Sequence, residues 1–215
     1  RLSAHRFPVV LNPVTSGFLA EQAKTSPPAV AAAIKAVLAA PEGPGRDAAG
    51  DALGALAPEI GAMLRDTVVP TILKAGYKSN VIPADATATF NSRILPGRKA
   101  ADLIADIRRV VADPAVELSF EAPTRAPVGA MPVDTDLFRA AVAAAPGVKV
   151  IPYMAAWTTD SQDLRARGTI MYGIDPPMTE ADLKHVHGED ERLPLAALDW
   201  YAVYLRDIVV RTAGR

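Results

Sequence analysis

Asn80-Val-Ile-Pro83 and, shortly after it, Phe90-Asn-Ser-Arg-Ile-Leu-Pro-Gly97 carry the pattern from which the fold is read. Residues 85–93 alternate with a period of two, as a strand does. Ala86, Ala88, Phe90 and Ser92 point one way and Thr87, Thr89, Asn91 and Arg93 the other. Leu95-Pro-Gly97 stops the strand, because proline lacks the ladder donor and glycine permits the turn. An arginine is thereby held at the end of a rigid strand, with Asn80 just before the preceding proline turn. That placement suits gripping an anion or a carbonyl oxygen, since Arg93 offers a planar fork of donors and Asn80 a neutral amide. The competing reading is an exposed strand face with an ordinary surface arginine, and periodicity alone favours it.

Outward from this strand, Asp66-Thr-Val-Val-Pro-Thr-Ile-Leu73 is rich in β-branched residues and predicts a second strand, in which Pro70 calls for an edge or a bulge. Ala75-Gly-Tyr-Lys-Ser79 turns the chain between the two. From Arg98 to Ala112 the apolar positions Leu103, Ile104, Ile107, Val110 and Val111 follow one helix face, and Asp113-Pro114 ends the helix. Val116, Leu118 and Phe120 then alternate with Glu117, Ser119 and Glu121 as a third strand. Strand–strand–helix–strand is a split βαβ, ferredoxin-like sandwich without its first strand.

Residues 1 to about 62 place prolines and glycines (Pro27-Pro28, Pro41-Glu-Gly-Pro-Gly45) between alanine-rich helical patches at 29–40 and 51–64. They read as helices joined by loops. Arg1 to His5 resembles the last turn of a helix, and with no initiator Met ahead of it we expect a piece of a longer protein. Ala122-Pro-Thr-Arg-Ala-Pro127 is the expected boundary. Beyond it the pattern predicts a helix at 135–145, a strand at 148–154, a polar loop at 158–168, a strand at 169–174, a second polar loop around His187 and a final helix at 195–210. Helices alternating with short apolar strands indicate an α/β layer.

Composition excludes several classes. Lysine and arginine total 23 against 24 aspartates and glutamates, a net charge of -1, without the basic excess of a nucleic-acid binder. No apolar run approaches the ~20 residues that span a bilayer. With no cysteine there is no disulfide framework, thiolate nucleophile or thiolate metal site.

Two polar loops carry the chemistry. Thr158-Thr-Asp-Ser-Gln-Asp163 directly follows a predicted strand, where α/β sheets place their ligands. His185-Val-His-Gly-Glu-Asp-Glu191 precedes the final helix, and His187 there reads as a metal ligand steered by carboxylate neighbours. The alternative is a solvated loop with an acidic helix start. A hydrolytic zinc site takes about three protein ligands, more than His185 and His187 supply.

The ordered series Asn80-Val-Ile-Pro, Phe90-Asn-Ser-Arg-x-Leu-Pro-Gly, Thr159-Asp-Ser, Tyr172-Gly and His187-Gly-x-x-Glu191 resembles the M20 family of zinc metallopeptidases. It looks closest to the carboxypeptidase S-like branch, with aminoacylases and related amidohydrolases. The resemblance implies an α/β catalytic domain holding two zinc ions, interrupted by a ferredoxin-like lid that often dimerises. Residues 1–125 would be most of the lid, without its first strand, and 126–215 the closing segment of the catalytic domain. It further implies that His187 is a zinc ligand and that Asn80 and Arg93 contact the substrate's carbonyl and carboxylate region. Gln162 stands where many relatives carry an arginine that anchors a substrate carboxylate, and an amide cannot form that charge-assisted bidentate grip. Arg165 or Arg167 could substitute, or the substrate does not end in a carboxylate. Asp190 replaces an Asn, and the lid's Gly-His-Ser element is not present. The His-x-Asp motif, bridging Asp and Glu-Glu pair of the family lie upstream, so this chain carries no general base and is expected to be inactive alone. The implied parent is a zinc-dependent hydrolase of a peptide or N-acyl amino acid, homodimeric through its lid, with no nucleic-acid or membrane partner. A non-catalytic dimerising or ligand-binding module that keeps the family fold is the alternative.

Overall fold

Prolines begin the first four α-helices, among them Pro28 and Pro44, which the sequence reading places between helices. After a 3₁₀ turn at Leu2–Ala4 come α1 (Pro13–Thr25), α2 (Pro28–Ala39), α3 (Pro44–Leu56) and α4 (Pro58–Ala62), each with proline at its start. Proline suits that position because its missing N–H would be unpaired there anyway and its φ is preset for the helix. Asn12 and Thr15 close the start of α1 reciprocally. The Asn12 side chain accepts the Thr15 N–H at 2.9 Å, and the Thr15 hydroxyl accepts the Asn12 N–H at 2.9 Å. The expected helix at 51–64 is thus two helices, broken at Ala57-Pro58 because a residue before proline leaves the helical region.

The hairpin follows: β1 (Thr67–Ala75) and β2 (Ala86–Arg93), antiparallel, with Thr67 opposite Arg93 and Ala75 opposite Ala86. Register slips between Pro70 and Ile72, so Thr71 is the extra residue of a bulge placed where proline cannot donate to the ladder. Then come α5 (Ala100–Val111), α6 (Asp136–Ala143), α7 (Ser161–Arg165), α8 (Glu180–Leu183) and α9 (Leu195–Ala213). The Arg1 guanidinium donates to the Val111 carbonyl and, at 3.3 Å, to that of Ala112, a cation closing the negative end of α5.

This computed structural model describes residues 1–120, 128–157 and 159–214, so the expected boundary at 122–127 lies outside the described residues. The chain divides into two units, Arg1–Ala130 with Tyr153–Thr169 and Met131–Pro152 with Ile170–Arg215. In the first, Val9, Leu19, Ile34, Val37, Leu53 and Leu64 form a buried core. In the second, Ala140, Ala141 and Ala145 pack with Tyr204 and Ile208 of α9. The Tyr204 hydroxyl donates to the Ala141 carbonyl at 3.0 Å and that of Tyr201 to Ile174 at 2.6 Å. Burial raises both phenols above their ordinary pKa of 10.0.

The described residues are mixed α/β, helices with one two-stranded antiparallel sheet. Three expected strands do not form among the described residues: 116–120, 148–154 and 169–174 are irregular. A strand exists only through a ladder, and the one sheet found there is the β1–β2 pair. Alternation at Val116, Leu118 and Phe120 marks which residues could share a face without supplying the neighbour to pair with.

One close backbone approach fixes the packing of α3 on α4. A Cβ on Gly61 would lie 2.6 Å from the Cα of Gly54, so α3 and α4 touch through their backbones. We expect Gly61→Ala to destabilise the first unit by ~1–3 kcal/mol, as overpacking does. Gly17→Ala, on α1 with nothing within 4 Å of the new methyl, should stabilise it by ~0.4–1 kcal/mol. Urea unfolding of the two variants should shift in opposite directions.

Candidate functional site

Two charged residues interrupt an apolar run at Met63-Leu-Arg-Asp-Thr-Val-Val69, and both are buried. Arg65 turns toward α3, pairing with Asp51 at 2.8 Å and donating to the Asp47 carbonyl at 3.4 Å. Asp66, its side chain 0% exposed, turns to the open end of the hairpin. One oxygen accepts the Leu95 N–H at 2.8 Å and the other meets the Arg98 guanidinium, which also reaches Asp106 on α5. Asp106 holds Arg109 in turn. The start of β1, the end of β2 and α5 are tied through one carboxylate.

Arg93 is the last residue of β2, two positions before Leu95, and its side chain is exposed. Its guanidinium donates to the carbonyl of Ala156. The 153–157 segment is anchored by the Tyr153 ring, 5.8 Å from Phe18 on α1 and 6.2 Å from Trp157. Thr158 lies outside the described residues. Thr159 and Ser161 share a hydroxyl contact of 2.6 Å, and the Thr159 carbonyl accepts the Gln162 N–H at 3.3 Å as α7 begins. Arg93 thus meets the segment that carries the half-buried Gln162.

Asn80 lies elsewhere on the hairpin. It sits exposed in the connection from β1 to β2, where the Val81 N–H closes a turn on the Lys78 carbonyl at 3.2 Å. At ~3.3 Å per strand residue, the length of β2 separates it from Arg93 by roughly 20 Å. In the same connection Tyr77, 85% exposed, and Ile82, 93% exposed, line an open hollow of about 450 Å³.

His187 belongs to the second unit. Its backbone is left-handed, φ 62°, unusual for a residue with a side chain, and its N–H donates to Glu191 Oε1 at 3.2 Å. The Gly188 N–H donates to the His185 carbonyl at 3.0 Å. His185 is engaged on both ring nitrogens: Nδ1 is 2.7 Å from Asp190 Oδ2, and Nε2 is 2.6 Å from Arg192. Arginine can only donate, so Nε2 accepts and Nδ1 carries the proton to Asp190. The imidazole of His187, by contrast, is exposed. Upstream, Thr179 and Asp182 close a capping box at the start of α8. Tyr172 acts as a brace, its hydroxyl 2.6 Å from that of Thr135 and donating to the Pro132 carbonyl.

Among the described residues no three His, Cys, Asp or Glu side chains converge to hold a metal ion. One imidazole does not make a zinc centre, which takes about three protein ligands. The residues present do not, on their own, fit the metal.

Asp66, Arg98 and the Asp190–His185–Arg192 cluster went unread in the sequence. A charged doublet inside an apolar run was the available signal for Asp66. Nothing local announces that Arg98, 32 positions on, is its partner.

Residues 15–119 match the peptidase dimerisation domain of the M20 peptidases. Similar curated proteins include the "Probable carboxypeptidase S-like 2" of Dictyostelium discoideum. It is 32% identical over 143 residues, 64% of this chain and 28% of the relative. The "N-fatty-acyl-amino acid synthase/hydrolase PM20D1" of Xenopus tropicalis is 31% identical over 150 residues, 67% of this chain and 29% of the relative. The human protein of that name is 29% identical over 159 residues, 71% and 32%. The chain therefore spans under a third of the length of the curated relatives it matches. No solved structure matches.

The loop that carries His187 also makes a pH prediction. Hydrogen bonds from the Thr179 hydroxyl, then from its backbone, hold the Asp182 carboxyl below its ordinary pKa of 3.8. A lowered carboxyl pKa contributes stability above the ordinary value and loses it as pH falls through the lowered one. Carboxyl ¹³C titration should show Asp182 keeping its charge and protonating late on acidification, and Thr179→Val should move that midpoint back up.

Proposed function

We propose that this chain, whose residues 15–119 match the M20 peptidase dimerisation domain, contributes the lid and closing segment of a zinc-dependent hydrolase. Its reaction would be cleavage of the amide bond of a peptide or N-acyl amino acid. The dimerisation-domain match carries the reading, together with relatives whose names are those of a carboxypeptidase and of hydrolases. In this reading residues 1–125 form the lid, through which two copies pair, and 126–215 complete the catalytic domain.

Arg93 and Asn80 are the lid's donors in this account. The Ala156 carbonyl takes one Arg93 N–H and leaves the remainder of the fork for a substrate oxygen. Donors fixed before the reaction lower its barrier where negative charge develops on oxygen, because they need no reorganisation as that charge forms. Gln162 offers a neutral amide, suited to a carbonyl or amide better than to a free carboxylate. His187 is this chain's single offered zinc ligand, and the general base and remaining ligands come from elsewhere in the parent. Lid closure would exclude water and complete the site.

A second reading, a non-catalytic dimerising or ligand-binding module, draws on Gln162 in place of the carboxylate-anchoring arginine. Metal content separates the two. In the full-length parent, His187→Ala should lower bound zinc, read by atomic spectrometry, and abolish amide hydrolysis. Arg93→Ala should keep the zinc and lower kcat/KM about ten- to a hundredfold, the ~1.5–3 kcal/mol of a charged hydrogen bond. A parent that binds no zinc and cleaves neither substrate class fits the second reading.

A further inference from the structure

We infer that Asp66 is a positioning residue for Arg93, acting with Arg98 as a latch that sets where the end of β2 presents its guanidinium. This rests on the reading of Arg93 as a substrate contact. The geometry has three parts. Asp66 immediately precedes Thr67, whose register partner in the ladder is Arg93 itself. Its fully buried carboxylate takes the Leu95 N–H at 2.8 Å, two residues past Arg93, just where the ladder has ended. Arg98 closes on the other oxygen and carries the link to Asp106 on α5. The backbone on both sides of Arg93 is therefore fixed, by the ladder before it and by the carboxylate after it.

A strand end is where pairing frays, because the last residue has a neighbour on one side only. A side chain placed there aims no better than its backbone is held, and misplacement of about 1 Å can cost on the order of a hundredfold in rate. A carboxylate suits the latch because it accepts from Leu95 and Arg98 together. An asparagine at 66 would present one acceptor oxygen to two donors.

The test uses the full-length parent enzyme with an amide substrate, alongside amide hydrogen exchange over 93–98. Asp66→Ala should speed exchange at Leu95 and lower kcat/KM about tenfold, mainly through kcat, the effect of a misplaced hydrogen bond to developing charge. In an Arg93→Ala background it should cost nothing further, because a residue acting only through Arg93 has nothing left to position. Arg98→Ala, which leaves the Leu95 bond in place, should act in the same direction more weakly, and it serves alone if Asp66→Ala does not fold. Equal losses in both backgrounds would show a general structural role and overturn the latch. So would Leu95 exchange that stays slow in Asp66→Ala. An Arg93→Ala enzyme of undiminished kcat/KM would instead overturn the substrate role of Arg93.

Discussion

Two adjacent side chains of opposite charge, Arg65 and Asp66, are buried at the joint between the helices and the hairpin, and neither is paired with the other. A charge taken out of water costs several kcal/mol unless geometry restores its partners. Each can be buried only if its own side of the molecule is in place. For Arg65 that side is α3, through Asp51 and the Asp47 carbonyl; for Asp66 it is the end of β2 and α5, through Leu95 and Arg98. The helical side is secured further by the Val9 N–H on the Asp47 carboxylate at 2.6 Å and the Val10 N–H on the Leu64 carbonyl at 2.8 Å. Gly50 lies under both Val9 and Arg65, and a Cβ there would sit 2.4 Å from one and 2.8 Å from the other. One dipeptide thus couples helix packing to strand placement.

What could be read from the sequence was local. The hairpin was legible because period-two alternation and a terminal Pro-Gly are both encoded within a few residues, and even the bulge announced itself as Pro70. The α5 face was legible for the same reason. Helices α1 to α4 were partly misread because proline has two meanings. It breaks a helix from within and begins one at the first position, and only a cap such as Asn12 with Thr15 distinguishes them. The failed strands teach the opposite lesson. Alternation at 116–120 is real, but pairing is a long-range property and no window of sequence contains the partner.

Site residues divide along the same line. Arg93 at a strand end and His187 beside Gly188 could be picked out because type and position together suggested a task. The grouping of Asn80 with Arg93 drew on their nearness to the strand's ends in sequence as well as on family resemblance; the hairpin puts the two at opposite ends of β2. Asp66 was passed over because a lone aspartate before a strand is ordinary until its burial is known. His185 is the converse case. It stands two residues from His187, and its two nitrogens are committed to Asp190 and Arg192.

A two-stranded hairpin is marginal in water by itself, since most of a sheet's stability comes from a covered face. Here Leu73 is 77% exposed and Val69 54%, so β1 has little of that cover to draw on. Hydrogen bonds along the ladder are weak compensation, each contributing ~0.5–1.5 kcal/mol net. The strongest remaining constraint lies at the open end, where a buried carboxylate would be left with unpaired charge if β2 drifted. Placement of Arg93 is therefore tied to an electrostatic penalty more than to apolar packing, and a penalty of that kind is steep over small displacements. The far end, with Asn80, Tyr77 and Ile82, has no such anchor. In a hairpin held at one end, the guanidinium has its geometry set in advance and the tip is left to conform to whatever it meets.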